Sequence, residues 1–311
     1  MAEMNFNWYV VAWIDLLGQT SELEKIPPIP AATSEYETFA KKLQPSFGRV
    51  ITFRKKVLSL CKELNTRADA PKELWRDLTE EQKVIFERYL KAQVGVEFIG
   101  DSALLHICLK EDSSHEPVYS VLQLFILLSH LMLRYLGCRI PLRGGIDVGV
   151  CAELSGGGLY GQAISRANYL ENKLAKEPRI LIGNCLIQYL RFAEDRLKEK
   201  NLREVERDLL KKCLLKIEEF LERDARDNRH ILSYLKAYNI ARLRAGTSSA
   251  DHGVYVKKAS LFIEGEIKQY RNEIIQALPF IENDIERYKR SLNLYKRYML
   301  LKGYFSKHQC W

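Results

Sequence analysis

Short apolar runs closed by polar turn residues organise the first half of the chain. Residues 8–14 are aromatic and β-branched and stop at Asp15, which predicts a buried strand followed by a tight turn. Residues 94–99 lead to Asp101 at the tip of a predicted hairpin, because an apolar stretch resumes directly after it. Residues 139–150 alternate in polarity around two adjacent glycines, which predicts a strand with a bulge or a close backbone approach.

Helical periodicity fills the intervals between these strands. The predicted helices cover residues 34–64, 79–93, 117–136 and 162–174, with a break near Pro45 in the first, and residues 179–182 form a short strand. The resulting order is strand, helices, hairpin, helix, strand, helix, strand. This order predicts an α+β fold, namely a ferredoxin-like, mainly antiparallel sheet with helices covering one face.

The pattern changes at Asn184, where charged helical sequence begins. We therefore expect two parts, a domain over residues 1–183 and a helical extension over residues 184–311 packed on it. The last predicted helix carries an apolar stripe with three- and four-residue steps from Ile281 to Met299. Such a stripe indicates a core face or an oligomer contact.

The composition favours an anionic partner, since the formal net charge is +8 and the pI is about 9.0. Most Lys and Arg alternate with Glu and Asp along helical stretches, so a solvated helix surface accounts for much of this charge. No nucleic-acid reader motif accompanies it, and we expect no nucleic-acid partner. A basic helical nucleic-acid binder is the weakest of the functional hypotheses.

Cysteine, histidine and hydropathy patterns place the chain in the cytoplasm. The seven Cys form no CxxC pair and the six His show no ligand spacing, which indicates buried free thiols and argues against zinc. Residues 118–136 are the most apolar stretch but include Ser, Gln, His and Arg, so we expect a core helix and no membrane span. No secretory signal is visible at the start.

The two turn carboxylates, Asp15 and Asp101, are the first candidates for chemistry. Two strands that each deliver one carboxylate to a sheet edge are suited to hold divalent cations against a triphosphate. The alternative is that each Asp only satisfies turn backbone, as Asp often does. From the residues alone, both interpretations stay open.

Four segments resemble the motifs of class III nucleotidyl cyclases, in their order and spacing, over about residues 8–183. They are Asp15-Leu16-Leu17-Gly18-Gln19-Thr20, Glu97-Phe98-Ile99-Gly100-Asp101, Leu142-Arg143-Gly144-Gly145-Ile146-Asp147-Val148-Gly149, and the helix from Gly161 to Leu170. Within that superfamily the chain is similar to a bacterial branch that includes proteins resembling the uridylate and cytidylate cyclases of Pycsar phage defence.

The resemblance implies a metal-dependent cyclase that acts as a homodimer on a nucleoside triphosphate. Asp15, Asp101 and the Leu16 carbonyl would bind two Mg²⁺ or Mn²⁺ ions, and Gly18, Gln19 and Thr20 would cradle phosphate. The ribose 3′-oxygen would attack the α-phosphate and release pyrophosphate, giving a cyclic nucleotide second messenger, in keeping with antiviral defence.

The chain departs from the family at its transition-state positions. The family's Asn falls on Ser165 and its Arg on Tyr169, so the expected catalytic set includes Ser165 and the neighbouring Arg166. Lys173 and Arg179 are further candidate cations for nucleotide phosphates. These departures leave a second hypothesis open, a nucleotide-sensing module that keeps metal binding and has lost turnover.

The predicted base-selecting residue is Glu97. Its carboxylate suits the N–H edge of guanine, but the partner position falls on Gly158, which has no side chain. Bulky Tyr160 and Tyr169 are expected to narrow the pocket. Together with the branch resemblance, these features favour a pyrimidine triphosphate.

Overall fold

A computed structural model of the chain describes residues 6–19, 23–24, 33–66, 79–80, 83, 94–109, 116–155, 157–200, 202–236, 249–278 and 285–308. The chain forms two compact units, Met1–Leu128 with Leu142–Leu232, and Ser129–Pro141 with Ser233–Trp311. The predicted helix over residues 79–93 lies almost wholly outside the described residues.

The first unit is built on one eight-stranded sheet. Its strands are β1 (Phe6–Leu16), β2 (Gly95–Ile99), β3 (Ser102–Cys108), β4 (Leu142–Glu153), β5 (Leu159–Gly161), β6 (Ile180–Ile182), β7 (Leu221–Arg223) and β8 (His230–Leu232). They follow the order β2-β3-β1-β4-β6-β8-β7, with β5 paired to β4. All pairs are antiparallel except β4 with β6. The predicted α+β class with a mainly antiparallel sheet is confirmed.

Seven helices are described, along with a π-helical turn (Leu170–Leu174). They are α1 (Tyr36–Thr66), α2 (Glu116–Gly137), α3 (Gln162–Tyr169), α4 (Asn184–Arg196), α5 (Glu204–Phe220), α6 (Ser249–Ala277) and α7 (Ile285–Lys307). The expected break near Pro45 is wrong, because α1 continues through it. Phe53, Val57 and Cys61 beyond the proline are all buried, and their packing offsets the lost backbone hydrogen bond.

The expected boundary between residues 183 and 184 differs from the structural division after Leu232. The reason is that β7 and β8 complete the sheet edge, β8 pairing with β6 through Leu181↔Ile231. Strands of three residues are too short to show a period of two. Consequently α4, α5 and the β7–β8 hairpin belong to the first unit.

The second unit contains α6 and α7, which pack through aromatic side chains. Tyr298 meets Phe262 edge-on at 5.6 Å between ring centroids and stacks on Tyr270 at 5.9 Å. The buried residues of α7 are Ser291, Tyr298, Leu301 and Phe305.

Helix α2 contains the candidate membrane span found among the described residues, Val118–Gly137, which is long and apolar enough to cross a bilayer. Within that window, 78% is buried inside the protein. Such burial is typical of a core helix, as the sequence predicts.

Candidate functional site

Sheet register places the first turn carboxylate in a row of three polar side chains. Asp15 on β1 is opposite Ser102 on β3 and opposite Arg143 on β4. Asp101 directly precedes Ser102 in the turn between β2 and β3, since Ile99 pairs with Ser102. The two predicted carboxylates, Asp15 and Asp101, therefore lie at neighbouring strand ends.

Arg143 bridges two carboxylates at this edge. Its guanidinium donates to Asp15 Oδ2 at 3.2 Å, and its Nε lies 2.5 Å from Glu171 Oε1. The Ser102 hydroxyl donates to Asp15 Oδ1 at 2.8 Å. These contacts fix the orientation of the Asp15 carboxylate. We call Asp15, Asp101 and Glu171, with Arg143 among them, the acidic cluster.

Gly145 allows Glu171 to reach this cluster. A Cβ built on Gly145 would lie 2.4 Å from the Ala167 carbonyl oxygen, 2.5 Å from Leu170 Cβ and 2.9 Å from Glu171 N. Only a glycine therefore lets the end of α3 and the π-helical turn rest directly on β4. The close backbone approach predicted for the double glycine is confirmed.

Charge repulsion and burial shape the electrostatics of the acidic cluster. Burial, then the charge of Asp15, raises the pKa of Asp101, against the opposing effect of Arg143. Burial raises the pKa of Glu171 to about 7, with Arg143 opposing and both aspartates adding to the increase. One guanidinium thus faces three carboxylates, which leaves a negative surplus.

This surplus fits a divalent cation. Asp15 and Asp101 would supply carboxylate oxygens, and the Leu16 carbonyl would be a further ligand; the Leu16 side chain itself is buried. Among the described residues, no group of three or more His, Cys, Asp or Glu side chains is arranged to hold a metal. The expected ligand set, Asp15, Asp101 and the Leu16 carbonyl, includes only two such side chains.

The turn after Asp15 combines an open glycine with a buried glutamine. Gly18 has φ of 93°, a left-handed conformation that favours glycine. The Gln19 side chain is buried and its Oε1 accepts a hydrogen bond from Ser46 of α1 at 2.9 Å. The Gln19 side chain is therefore committed to α1, which leaves the backbone of Gln19 for the expected phosphate contact, and Thr20 lies outside the described residues.

The two expected base-recognition positions face each other. A Cβ on Gly158 would lie 3.8 Å from Glu97 Oε2. On its other side, Glu97 Oε1 lies 3.7 Å from His106 Nε2. Burial lowers the pKa of His106, while the charges of Glu97 and Glu153 oppose that change.

The expected transition-state residues line a separate cavity. Ser165, Arg166 and Tyr169 form one wall of an open space of about 870 Å³. Asp15, Asp101, Arg143 and Glu171 are absent from its lining. Within one chain, the two halves of the predicted catalytic set are therefore not brought to the same pocket.

The two remaining candidate cations differ in their surroundings. Arg179 is buried and donates to Asp224 Oδ2 at 2.6 Å, to Asp227 Oδ2 at 2.9 Å and to the Leu174 carbonyl at 3.0 Å. This engagement favours a structural role over phosphate binding. Lys173 is exposed on the π-helical turn.

Sequence reasoning missed Arg143, Glu171 and Arg54 as site residues. Arg143 lies in the Leu142–Gly149 segment that resembles the cyclase motif, and this segment was predicted to be a strand. That prediction alone does not place Arg143 beside Asp15. No sequence pattern predicts the positions of Glu171 and Arg54, because the packing of helices on the sheet places them near the two aspartates. Arg54 of α1 donates to the Gly100 carbonyl at 2.5 Å and lies over the Phe98 ring, beside the Asp101 turn.

Comparison with protein-family models, curated proteins and solved structures finds no match to this chain. The functional conclusion therefore depends on the acidic cluster and on the motif resemblance.

Proposed function

We propose that this protein is a metal-dependent nucleotide cyclase that converts a nucleoside triphosphate to a 3′,5′-cyclic nucleotide and pyrophosphate. The observation that carries the proposal is the pairing of Asp15 and Asp101 at neighbouring strand ends, with a negative surplus over Arg143. Carboxylates confined in this way repel each other, and a divalent cation relieves that repulsion. Satisfying turn backbone requires no such proximity.

The strand order supports the cyclase-like fold. The sequence β2-β3-β1-β4, with a helix between β1 and β2 and another between β3 and β4, is the order of a ferredoxin-like βαββαβ unit. In this arrangement the β1 end and the β2–β3 turn share one sheet edge. The proposed substrate triphosphate would lie against that edge.

Asp15 and Asp101 would hold two Mg²⁺ or Mn²⁺ ions, which supply activation of the ribose 3′-hydroxyl and charge neutralisation of the triphosphate. Ser102 and Arg143 keep the Asp15 carboxylate oriented. In this proposal, the backbone amides of Gly18 and Gln19 would contact phosphate oxygens. The 3′-hydroxyl would lose its proton to solvent water, its oxygen would attack the α-phosphorus, and the bond to pyrophosphate would break.

A pyrimidine is the favoured base. Glu97 faces a glycine, so a purine would meet only one recognition side chain there. His106 lies beside Glu97 and is a further polar group for the base edge. Tyr169 lines the 870 Å³ cavity, so its expected role in narrowing the base pocket has no support from its position.

We also propose a cytoplasmic homodimer. Ser165, Arg166 and Tyr169 line a different cavity from the acidic cluster in one chain, and a second protomer is the natural source of the missing half. On α7, Ile285 and Met299 of the predicted stripe are 50% and 42% exposed. These two exposed ends, with half-buried Tyr288, Leu292 and Tyr295 between them, suit a contact between copies.

The alternative is a nucleotide-sensing module without turnover. Ser165 and Tyr169 at the family's Asn and Arg positions favour it, since neither side chain supplies a cation for charge developing on phosphate. In that case the acidic cluster would bind metal and nucleotide, and no product would form.

The test is incubation with each of the four nucleoside triphosphates and Mn²⁺, followed by mass analysis of the products. The proposal expects a cyclic nucleotide and pyrophosphate, most from UTP or CTP, and none with EDTA. Binding of Mn²⁺ without product would establish the sensing module instead. A cyclic product from GTP alone, lost in Glu97→Gln, would contradict the pyrimidine preference.

A further inference from the structure

The open cavity of about 870 Å³ lies between α3, α4 and the β7–β8 hairpin, and it is basic. Its charged or titratable nitrogen-bearing side chains are Arg166, Arg191, Arg223, Arg229 and His230. The predicted motifs use only Arg166 of this group. The proposed role of the acidic cluster therefore does not account for the basic lining of this cavity.

The described lining of the cavity contains more cations than carboxylates. Asp147 is the single carboxylate in the described lining, and its Oδ1 accepts the backbone N–H of Val148 and of Leu186, both at 2.9 Å. It therefore caps the start of α4 and is committed to backbone. Arg191, Arg223 and His230 also line an adjoining cavity of about 500 Å³, whose carboxylates are Glu194, Glu218 and Glu222.

The arginines are held in place mainly by neutral groups. Arg166 donates to the Val148 carbonyl at 2.9 Å, and Arg223 donates to the Asn228 carbonyl at 3.1 Å. Arg229 pairs with Asp227 at 3.0 Å. Arg191 makes no hydrogen bond or ion pair with the described residues. Arg191 and Arg223 thus retain their charge for a ligand.

His230 provides independent evidence for a converging positive field. Its pKa is lowered by burial and then by the charges of Arg223 and Arg191. Cationic side chains from two different elements, α4 and β7, therefore approach one imidazole. Natural ligands for such a field are phosphate groups, which arginine binds with two parallel hydrogen bonds.

Part of the remaining lining is apolar, beside the polar Ser165, Asn184, Gln188 and Asn228. Leu170, Leu174, Ile182 and Ile187 contribute side chains, and the Tyr169 ring is 57% exposed at the wall. An aromatic face and aliphatic walls beside a cationic end suit a planar base next to phosphates. The volume is also in the range of a nucleotide-sized ligand, about 300 to 1,000 Å³.

We propose that this cavity binds a nucleotide through Arg191 and Arg223 at its phosphates, without a divalent cation and apart from Asp15 and Asp101. The cavity shares Ser165, Arg166 and Tyr169 with the proposed catalytic set, but its phosphate ligands Arg191 and Arg223 lie outside that set. It adjoins the acidic cluster along the chain, because Leu170 in its wall directly precedes Glu171.

The test is isothermal titration of the full chain in EDTA with ATP, UTP and inorganic tripolyphosphate. At least one nucleotide is expected to bind more tightly than tripolyphosphate. Arg191→Gln and Arg223→Gln should each weaken binding at least tenfold, since a charge-assisted hydrogen bond contributes about 1.5–3 kcal/mol. Both side chains are exposed, so the variants should unfold at the wild-type temperature.

Arg196→Gln is the matched control, because Arg196 is on the same helix but outside the cavity lining. It should bind as wild type does, and so should Asp101→Asn. Absence of nucleotide binding in EDTA, equal weakening by Arg196→Gln, or loss in Asp101→Asn would overturn the proposal. Equal affinity for tripolyphosphate and the nucleotides would overturn the role of the apolar wall.

Discussion

Arg143 has the central electrostatic role at the scale of single residues. It pairs with Asp15 and Glu171 together, and its charge opposes the rise that burial causes in the pKa of Asp101 and of Glu171. Without this cation, three carboxylates would share a poorly solvated edge. The net charge of the acidic cluster, and its effect on the stability of the protein, therefore depend on pH.

We expect Glu171→Gln to remove a pH dependence of stability. The pKa of Glu171 rises from 4.5 to about 7 on folding. This carboxyl therefore contributes stability below pH about 4.5 that is lost as the pH rises through about 7. In EDTA, the free energy of unfolding of the wild type should fall by about 3 kcal/mol relative to Glu171→Gln between pH 4.5 and 8.

Urea unfolding at several pH values measures this difference. Glu194→Gln, an exposed change on α4, should follow the wild type throughout. Parallel curves for the wild type and Glu171→Gln would show that the buried carboxyl does not titrate as described.

Arg179→Gln should destabilise the protein by about 2 kcal/mol, because it removes the buried cation that Asp224 and Asp227 share, while Arg226 and Arg229 still pair with them. Lys173→Gln, on the exposed surface nearby, should change stability by less than about 0.5 kcal/mol. Thermal unfolding of both variants measures this. If Arg179→Gln were as stable as the wild type and only weakened nucleotide binding, Arg179 would be a phosphate ligand after all.

At the scale of elements, contact between β4 and the end of α3 decides the geometry of the cluster. Small residues make this contact possible, with Ala163 and Ala167 of α3 buried against the sheet. At Gly145, the backbone of β4 lies directly against the end of α3. A side chain there would push the π-helical turn, and Glu171 with it, away from Arg143.

Gly145→Ala should therefore cost about 3 kcal/mol, because the added methyl has no space. Gly265→Ala in α6 is the control, since a Cβ there meets nothing within 4 Å. That change should stabilise the protein by about 0.5–1 kcal/mol through helix propensity. Denaturant midpoints compare the two. A neutral Gly145→Ala would contradict the packing described for this interface.

The sequence predicted those elements whose pattern is long or whose turn is specific. A turn residue or an alternation of polarity predicted three features: the strand before Asp15, the Asp101 hairpin and the close approach at the double glycine. The strands β7 and β8 were not, being only three residues long. The ion pair between Glu171 and Arg143 was not predictable from the sequence either, because tertiary packing alone creates it.

At the scale of the whole molecule, the chain has two compact units, and the proposed site residues lie in the first. The second contributes the apolar stripe on α7, which is exposed at Ile285 and Met299. We expect a homodimer in solution at micromolar concentration, measured by light scattering. Met299→Lys should shift it toward monomer, while Leu215→Lys, an exposed change on α5, should leave it dimeric. A fully active monomeric wild type would contradict this prediction.

The central claim is that Asp15 and Asp101 together hold the catalytic cations. Its most direct test is Mn²⁺ binding and cyclic-nucleotide formation in the wild type, Asp15→Asn, Asp101→Asn and the exposed control Asp195→Asn. We predict that both cluster variants lose Mn²⁺ binding and turnover while staying folded. In EDTA, Asp101→Asn should be at least as stable as the wild type, because repulsion from Asp15 is relieved. Asp195→Asn should match the wild type, and near-wild-type turnover in either cluster variant would contradict the account.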